Sequence, residues 1–419
     1  MKRTARETKN KNVLQTDAPV IDYCIGAFLF MKKQNHFINY MKGIAILMVV
    51  LTHMSWSDRS NPIFPYLIQM AVPIFMLISG MNYALSNQRK GFYSVRSLYT
   101  LPQIWHRIRP MAEPLFFLYI IEIVTIEITN PAKLGSGKAE RIWNIFYHYF
   151  LGGYTKYGSY YFPVMVEVIL FYPLLYCLVA YLRGKGVILV AVLNLLYESM
   201  VTVTDMSGSL YRLLGFRYML YLAFGTWMGL YGEEFMRNGI RWKQAVLLLA
   251  IPVGANYVYL NWYTDYSFFA FEYWLATSMM TAFYFFPIFF LGSHYLKDLE
   301  LKNPPARLLE KIGQKTWFIM LSQMYWYQFI VDRIYDGVPM GLQLLINEVV
   351  AVSAGFLFCA AYNRILTPTL QNILVPFEQS FLLPMVRKVL NVLTRICPQI
   401  RIVTALRKRS NSVARHERG

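Results

Sequence analysis

Charged residues are scarce in this sequence. Asp, Glu, Lys and Arg together make up only 15% of the chain, while hydrophobic residues make up 56%. A soluble globular domain usually contains about 25% charged residues. Several apolar runs also reach the roughly 20 residues that are needed to cross a hydrocarbon core of about 30 Å. This composition excludes an ordinary soluble protein and predicts that the chain lies in a lipid bilayer.

Cysteine, cleavage signals and linkers are scarce too. The four cysteines include no pair with the spacing of a metal or redox motif, which argues against a disulfide framework and predicts that no metal is bound. The first 15 residues, "MKRTARETKNKNVLQ", are basic and polar. They lack an apolar core followed by a cleavage site, so we interpret them as a cytoplasmic tail rather than a signal peptide. No internal repeat and no long Gly/Ser linker divides the chain.

Positive charge is the exception to this scarcity. The chain has 41 Lys and Arg against 23 Asp and Glu, which gives a net charge of +18. These residues gather in the loops and at both ends, as the positive-inside rule predicts for cytoplasmic segments. The charge therefore requires no nucleic acid as a partner, and we predict none.

The apolar runs predict an all-α, polytopic membrane protein with about ten transmembrane helices. Its basic loops alternate with nearly uncharged ones only if both termini are cytoplasmic. We therefore predict an N-in, C-in protein of the cytoplasmic membrane. The longer segment 129–158 is also predicted to be outside, and its run 142–154 is too short to span, so an interfacial or re-entrant helix is expected there. The predicted spans are 37–56, 63–85, 110–128, 159–182, 186–204, 210–231, 242–262, 271–296, 316–335 and 342–365.

The predicted spans divide the chain into three segments. We predict a cytoplasmic N-terminal tail (1–36), a ten-helix membrane core (37–365) and a basic amphipathic cytoplasmic C-terminal tail (366–419). The C-terminal tail mixes aliphatic residues with Arg and Lys at near-helical spacing, which suits a helix lying on anionic lipids. Anchoring to the membrane and binding of a regulatory partner both remain open for it.

The first span carries an ionisable residue at each end. In "YMKGIAILMVVLTHM" (40–54), Lys42 and His53 are 11 residues apart. At 3.6 residues per turn they lie on one stripe of a helix, separated by about 16 Å. Under the predicted topology Lys42 lies at the cytoplasmic mouth and His53 lies deep, towards the outer half of the membrane. This pattern would suit a long anionic ligand that enters from the cytoplasm, with the imidazole as a general base.

Simpler roles remain open for both residues. Lys42 could be an ordinary orientation-setting lysine whose charge reaches the membrane surface. His53 could form a hydrogen bond that bridges two helices.

Other polar or aromatic positions are candidates for ligand binding. Arg107 and Arg109 in "HRIRP" (106–110) could bind phosphates at the cytoplasmic mouth, or they could only set the topology. Glu167, near the outer face, could orient His53, bind an acceptor hydroxyl or form a structural pair. Tyr161 belongs to an outer aromatic group that could stack on sugars or form an interfacial belt.

Four segments resemble the acyltransferase 3 family in the expected order. "YMKGIAILMVVLTH" (40–53) is similar to the first transmembrane helix of that family, in which a basic residue precedes an intramembrane histidine by 11 positions. "VPIFMLISGM" (72–81) resembles its apolar run ending in Ser-Gly, and "HRIRP" (106–110) its Arg-Ile-x-Pro element. "GQKTWFIMLSQ" (313–323) resembles its late Gly-x-x-Ser/Thr element.

The resemblance implies a membrane O-acyltransferase. Such an enzyme takes an acyl group, most often acetyl, from cytoplasmic acyl-CoA, which is a co-substrate rather than a bound cofactor. It passes the group to a hydroxyl of an extracytoplasmic or lipid-linked glycan. The resemblance assigns the catalytic role to His53. It assigns donor-side or structural roles to Lys42 and Arg107, and less directly to Arg109.

The sequence departs from the family pattern at several positions. Lys42 stands where Arg is frequent, Asn39 where Asp is common, and Gln323 where a late histidine is usual. A two-histidine mechanism is therefore not expected, and Gln323 is a candidate substrate-binding residue. Glu167 and Tyr161 match the family only loosely.

A proton-coupled transporter or flippase is the alternative function, with His53 and buried glutamates as a proton relay. Transporters of this kind often show inverted repeats and paired broken helices, and neither is clear in this sequence. A structural scaffold is a third possibility, but the number of intramembrane ionisable residues argues against it.

Overall fold

A computed structural model provides the architecture. It describes residues 36–54, 68–91, 98–150, 158–236, 244, 279–296, 303–331, 338–368 and 380. These residues are helical or lie in short turns. Helices suit a bilayer because each backbone N–H and C=O group is satisfied within the segment. Most of the two predicted tails and the predicted span 242–262 lie outside the described residues.

The described part of the chain contains twelve α-helices. The first four are α1 (His36–Thr52), α2 (Ala71–Arg89), α3 (Leu101–Thr129) and α4 (Lys138–Phe150). The next four are α5 (Tyr161–Leu182), α6 (Gly184–Val203), α7 (Gly208–Leu213) and α8 (Met219–Met236). The last four are α9 (Met279–Leu296), α10 (Pro304–Gln314), α11 (Thr316–Phe329) and α12 (Met340–Ala361).

Four of the described helices are long and apolar enough to cross a membrane. They are α2 with the 3-10 turn before it, α5, α6, and α12 with the π-helix Tyr362–Leu366 after it. This arrangement is that of a polytopic membrane protein. The count of ten spans and the N-in, C-in orientation stay predictions.

Several predicted spans differ from the helices in their bounds. The third begins nine residues earlier than predicted, at Leu101, and α3 continues through Pro110 and Pro114. The span predicted at 210–231 is broken: α7 is followed by the 3-10 helix Gly215–Tyr218 before α8 begins. The span predicted at 316–335 ends as a helix at Phe329. Hydrophobicity alone does not locate such breaks, because a 3-10 turn can be as apolar as an α-helix.

Close backbone contacts join α2 and α8. A Cβ atom added at Gly80 would meet the backbone of Leu222, and one added at Gly225 would meet the backbone of Leu77. Small residues allow membrane helices to approach in this way. The two helices therefore form a firm core against which α5 packs, with Tyr172 donating a hydrogen bond to the Gly80 carbonyl at 2.9 Å.

The short helix α4 follows α3 and has one strongly apolar face. Ile142 and Trp143 on this helix are 69% and 57% exposed. Arg141 ties the helix to α3 through an ion pair of 2.8 Å with Glu127. At 13 residues α4 is too short to span, which agrees with the interfacial helix expected near this position.

The chain divides into two compact units, Met1–Phe356 and Leu357–Gly419. Every residue of the candidate site described below belongs to the first unit. In the second unit, the Asn363 side chain donates to the Cys359 sulfur at 3.3 Å.

Candidate active site

Helix α1 carries the two ionisable residues that the sequence singled out. It is regular up to Thr52, and His53 lies in the turn that ends it, where the His53 N–H donates to the Val50 carbonyl at 3.3 Å. Lys42 and His53 are both half-buried. On an ideal helix, a spacing of 11 residues corresponds to one stripe and to about 16 Å along the axis.

The His53 imidazole lies against a tyrosine and a glycine turn. Its ring centroid is 6.0 Å from that of Tyr327 on α11, and the Tyr327 hydroxyl donates to the Val50 carbonyl at 2.9 Å. On another side lies Gly158, where a Cβ atom would be 3.3 Å from His53 Nε2. Gly158 has a φ of +90°, a conformation that favours glycine. The backbone of this turn therefore lies beside the Nε2 edge of the imidazole.

Gln323 belongs to the same neighbourhood. It lies between Met320 and Tyr327 on one face of α11, since residues three and four apart are neighbours on a helix. Its Nε2 lies 3.2 Å from the Met320 sulfur, and the Met320 methyl group lies against Gly158. Gln323 is fully buried, and within the described residues its Oε1 atom has no hydrogen-bond partner. A buried acceptor without a partner costs about 1–3 kcal/mol.

Tyr161 and Glu167 have contacts of a structural kind. The Tyr161 ring lies 6.3 Å from that of Phe75 and 6.1 Å from that of Trp317. The Glu167 carboxylate accepts the backbone N–H of Gly215 at 2.8 Å. These contacts agree with the structural pairing considered for Glu167, and they leave its binding role a prediction.

At the other end of the stripe, Lys42 has no hydrogen bond or ion pair with any other residue of the described ranges. The neighbouring Gly43 allows α10 to approach, since a Cβ there would lie 3.1 Å or less from Leu309 atoms. A half-buried ammonium without a counter-ion is expensive, and an anionic ligand would compensate it.

The two arginines of α3 have different surroundings. Arg107 donates to the Asn87 side chain at 2.6 Å, and its guanidinium lies 4.4 Å from the centroid of Tyr83. Arg109 forms an ion pair of 2.6 Å with Glu113. Residues two apart on a helix point about 200° apart. Arg107 and Arg109 therefore do not share a face, and the charge of Arg109 is already compensated.

Three residues around His53 are not predicted from the sequence: Gly158, Met320 and Tyr327. Each is separated from His53 by more than one helix, so no local pattern indicates the contact. Arg217 was not predicted either. It lies in the 3-10 helix that connects α7 to α8, and its side chain is fully buried. That arginine was detectable, because it interrupts an apolar run, as Lys42 and His53 do. Among the described side chains, no group of three His, Cys, Asp or Glu could hold a metal ion.

The sequence was compared with known protein families, curated proteins and solved structures. Residues 35–364 match the model of the acyltransferase 3 family, which is described as an acyltransferase domain. Among the curated proteins and among the solved structures, nothing matches the chain. The family match covers more than half of the sequence and includes the four segments that resemble the family. The resemblance is thereby confirmed, and the chain belongs to the acyltransferase 3 family.

Proposed function

We propose that this protein transfers an acyl group, acetyl in the first instance, from cytoplasmic acyl-CoA to a hydroxyl of a cell-surface or lipid-linked carbohydrate. The main support is the position of His53. It shares one stripe of α1 with Lys42, about 16 Å away along the helix axis, and it lies beside Gly158 and Tyr327. Helix α1 and the turn that ends it thus link a lysine that attracts anions to a half-buried histidine that can act as a base.

Lys42 and Arg107 hold the phosphates of the donor in this proposal. Lys42 lacks a counter-ion within the described part of the chain, and Arg107 is held in place by Asn87 and Tyr83. A guanidinium can form bidentate hydrogen bonds with a phosphate. Arg109 adds to the positive potential, but its ion pair with Glu113 makes it the weaker ligand.

His53 acts as the general base at the other end. Its imidazole accepts the proton of the acceptor hydroxyl while the hydroxyl oxygen forms a bond to the thioester carbonyl carbon. The C–S bond then breaks, and the proton passes to the departing CoA thiolate. In a second version of this step the imidazole itself carries the acyl group between donor and acceptor. Positioned general-base catalysis contributes about 10²–10⁴-fold.

The acceptor binds around Gln323 in this proposal. The unpartnered, buried Oε1 atom of Gln323 can accept a hydrogen bond from a sugar hydroxyl or from the imidazole. Tyr161 and Glu167 contribute to the outer wall of the site from the start of α5.

The test is transfer of label from radiolabelled acetyl-CoA, added to the cytoplasmic face of sealed vesicles, into glycan. Wild type is compared with His53→Ala and with His294→Ala at equal abundance in the membrane. His294 is a matched control because it is also a half-buried histidine near the end of an apolar helix, packed on Tyr295. We expect His53→Ala to lose about 10²-fold or more of the rate, and His294→Ala to keep it.

Two results would contradict the proposal. Equal labelling with wild type and His53→Ala would reduce His53 to a packing residue. No labelling with wild type, together with glycan movement that depends on a proton gradient, would favour the transporter function instead.

A further inference from the structure

A buried arginine lies outside the residues assigned to the proposed reaction. Arg217 belongs to the 3-10 helix Gly215–Tyr218 and is 0% exposed. Taking a guanidinium out of water is costly unless other groups compensate it. An intramembrane charge is therefore a functional candidate, and its partners indicate the role.

Three tyrosine rings surround the Arg217 guanidinium. Its central carbon lies 4.5 Å from the ring centroid of Tyr218, 5.3 Å from that of Tyr211 and 5.5 Å from that of Tyr160. All three distances are within the range of about 6 Å for a cation–π contact. The three rings come from separate parts of the chain, so Arg217 joins α7, the 3-10 helix and the turn before α5.

Two carboxylates complete this cluster. Glu198 on α6 is 2% exposed, accepts the Tyr211 hydroxyl at 3.1 and 3.3 Å, and interacts electrostatically with Arg217. Glu167 on α5 accepts the N–H of Gly215, the first residue of the 3-10 helix. Glu198 thus balances the guanidinium, while Glu167 fixes the 3-10 helix that carries it.

Tyr160 connects this cluster to His53. It is the last residue of the turn Gly158–Tyr160, and the Gly158 carbonyl accepts the N–H of Tyr161 at 3.0 Å as α5 begins. One end of the turn therefore lies under the Arg217 guanidinium, while the other end, Gly158, lies beside His53 Nε2.

We propose that Arg217 is a positioning residue of the active site: through Tyr160 it holds the Gly158–Tyr160 turn against the His53 imidazole. The inference rests on the proposed function of His53. A guanidinium suits this role better than an ammonium because it is planar and stacks on aromatic faces. Arg217 itself is fully enclosed and does not touch the substrate.

The first experiment measures the reactivity of His53 directly and needs neither donor nor acceptor. Diethyl pyrocarbonate acylates accessible, neutral imidazole, and mass spectrometry of the full-length protein in detergent gives the rate at His53. We expect Arg217→Met to raise this rate about threefold or more, because Gly158 no longer covers Nε2, and Arg217→Lys to raise it less. Arg183→Met is the matched control, since Arg183 lies 5.3 Å from the Tyr231 ring in the same kind of contact, and it leaves the rate unchanged.

The second experiment measures transfer from acetyl-CoA in vesicles. We expect kcat to fall about tenfold or more with Arg217→Met, since a misplacement of about 1 Å can cost about 10²-fold. The KM for acetyl-CoA stays within about twofold, because the donor mouth is about 16 Å from His53. Arg217→Lys recovers part of kcat.

A double variant separates positioning from folding. Arg217→Met leaves Glu198 buried without its cation, and Arg217→Met with Glu198→Gln removes that charge as well. We expect the double variant to regain thermal stability but not kcat or the wild-type reactivity of His53. If kcat and His53 reactivity return together with stability, Arg217 is structural only and the inference fails. If wild type shows no transfer but the His53 reactivity changes as expected, the proposed function fails while the positioning role stands.

Discussion

A single methyl group placed at Gly158 is the sharpest perturbation of the candidate site. Gly158 has a φ of +90°, so Gly158→Ala forces alanine into a backbone conformation that costs about 1–3 kcal/mol. The new Cβ would lie 3.3 Å from His53 Nε2 and would collide with the Met320 methyl group. The methionine end is flexible and can move, whereas the imidazole must shift by a few tenths of an ångström.

Gly91→Ala separates backbone strain from the contact with His53. Gly91 has a φ of +65° and nothing within 4 Å of an added Cβ. We expect both variants to lose about 1–3 kcal/mol of stability, measured by thermal unfolding in detergent. Only Gly158→Ala should also lose acyl transfer, by about 10–10²-fold, because only there does the methyl group displace the histidine.

The combination of Gly158→Ala with Met320→Leu tests the cause of that loss. Leucine lacks the terminal methyl that an alanine at 158 would meet, and the exchange of Met for Leu usually costs less than about 1.5 kcal/mol. We expect the double variant to recover part of the rate, with a coupling of about 0.5–3 kcal/mol. Equal transfer by Gly158→Ala and Gly91→Ala would refute the reasoning, because the turn would then not shape the site.

Two further predictions concern how α1 is held. Gly313→Ala should lower stability by about 1–3 kcal/mol or prevent folding, because the added Cβ would fall on the backbone of Asn39. The control variant Gly341→Ala should melt like wild type, because there is open space around that position. Tyr327→Phe should lower the free energy of unfolding by about 1 kcal/mol, because the Val50 carbonyl loses its hydroxyl donor. It should also lower acyl transfer, and a variant that melts like wild type and transfers at the full rate would contradict this role.

The sequence predicts the helical class and singles out His53 as a candidate because both inferences depend on local patterns. Long apolar runs indicate membrane helices, and His53 stands out as an ionisable residue at the end of such a run. The residues that surround the imidazole could not be predicted from local patterns. Gly158 and Tyr327 contact His53 only because distant segments of the chain pack together. The spacing of residues in the sequence does not predict such a contact.

Arg217 shows a different limit. Its charge within "LLGFRYMLYLAFG" is as visible as that of Lys42, but the sequence does not show what compensates it. The compensation comes from Tyr160, Tyr211 and Glu198, which three different segments contribute. The break in the helix before Met219 is also invisible to hydrophobicity, because the carboxylate of one distant residue satisfies the backbone at that break.

The contacts of α1 determine which partner moves in the proposed reaction. At the Lys42 end, Gly43 and Gly313 bring α1 and α10 into backbone contact, and at the His53 end the Tyr327 hydroxyl bonds to the last turn of α1. Packed interiors of this kind resist continuous deformation, so Lys42 and His53 keep their separation, which is about 16 Å for 11 residues of an ideal helix. The histidine therefore cannot approach a donor held at the mouth. In the proposed reaction the thioester end of the donor therefore reaches inward along α1, and the acceptor hydroxyl meets it at the imidazole.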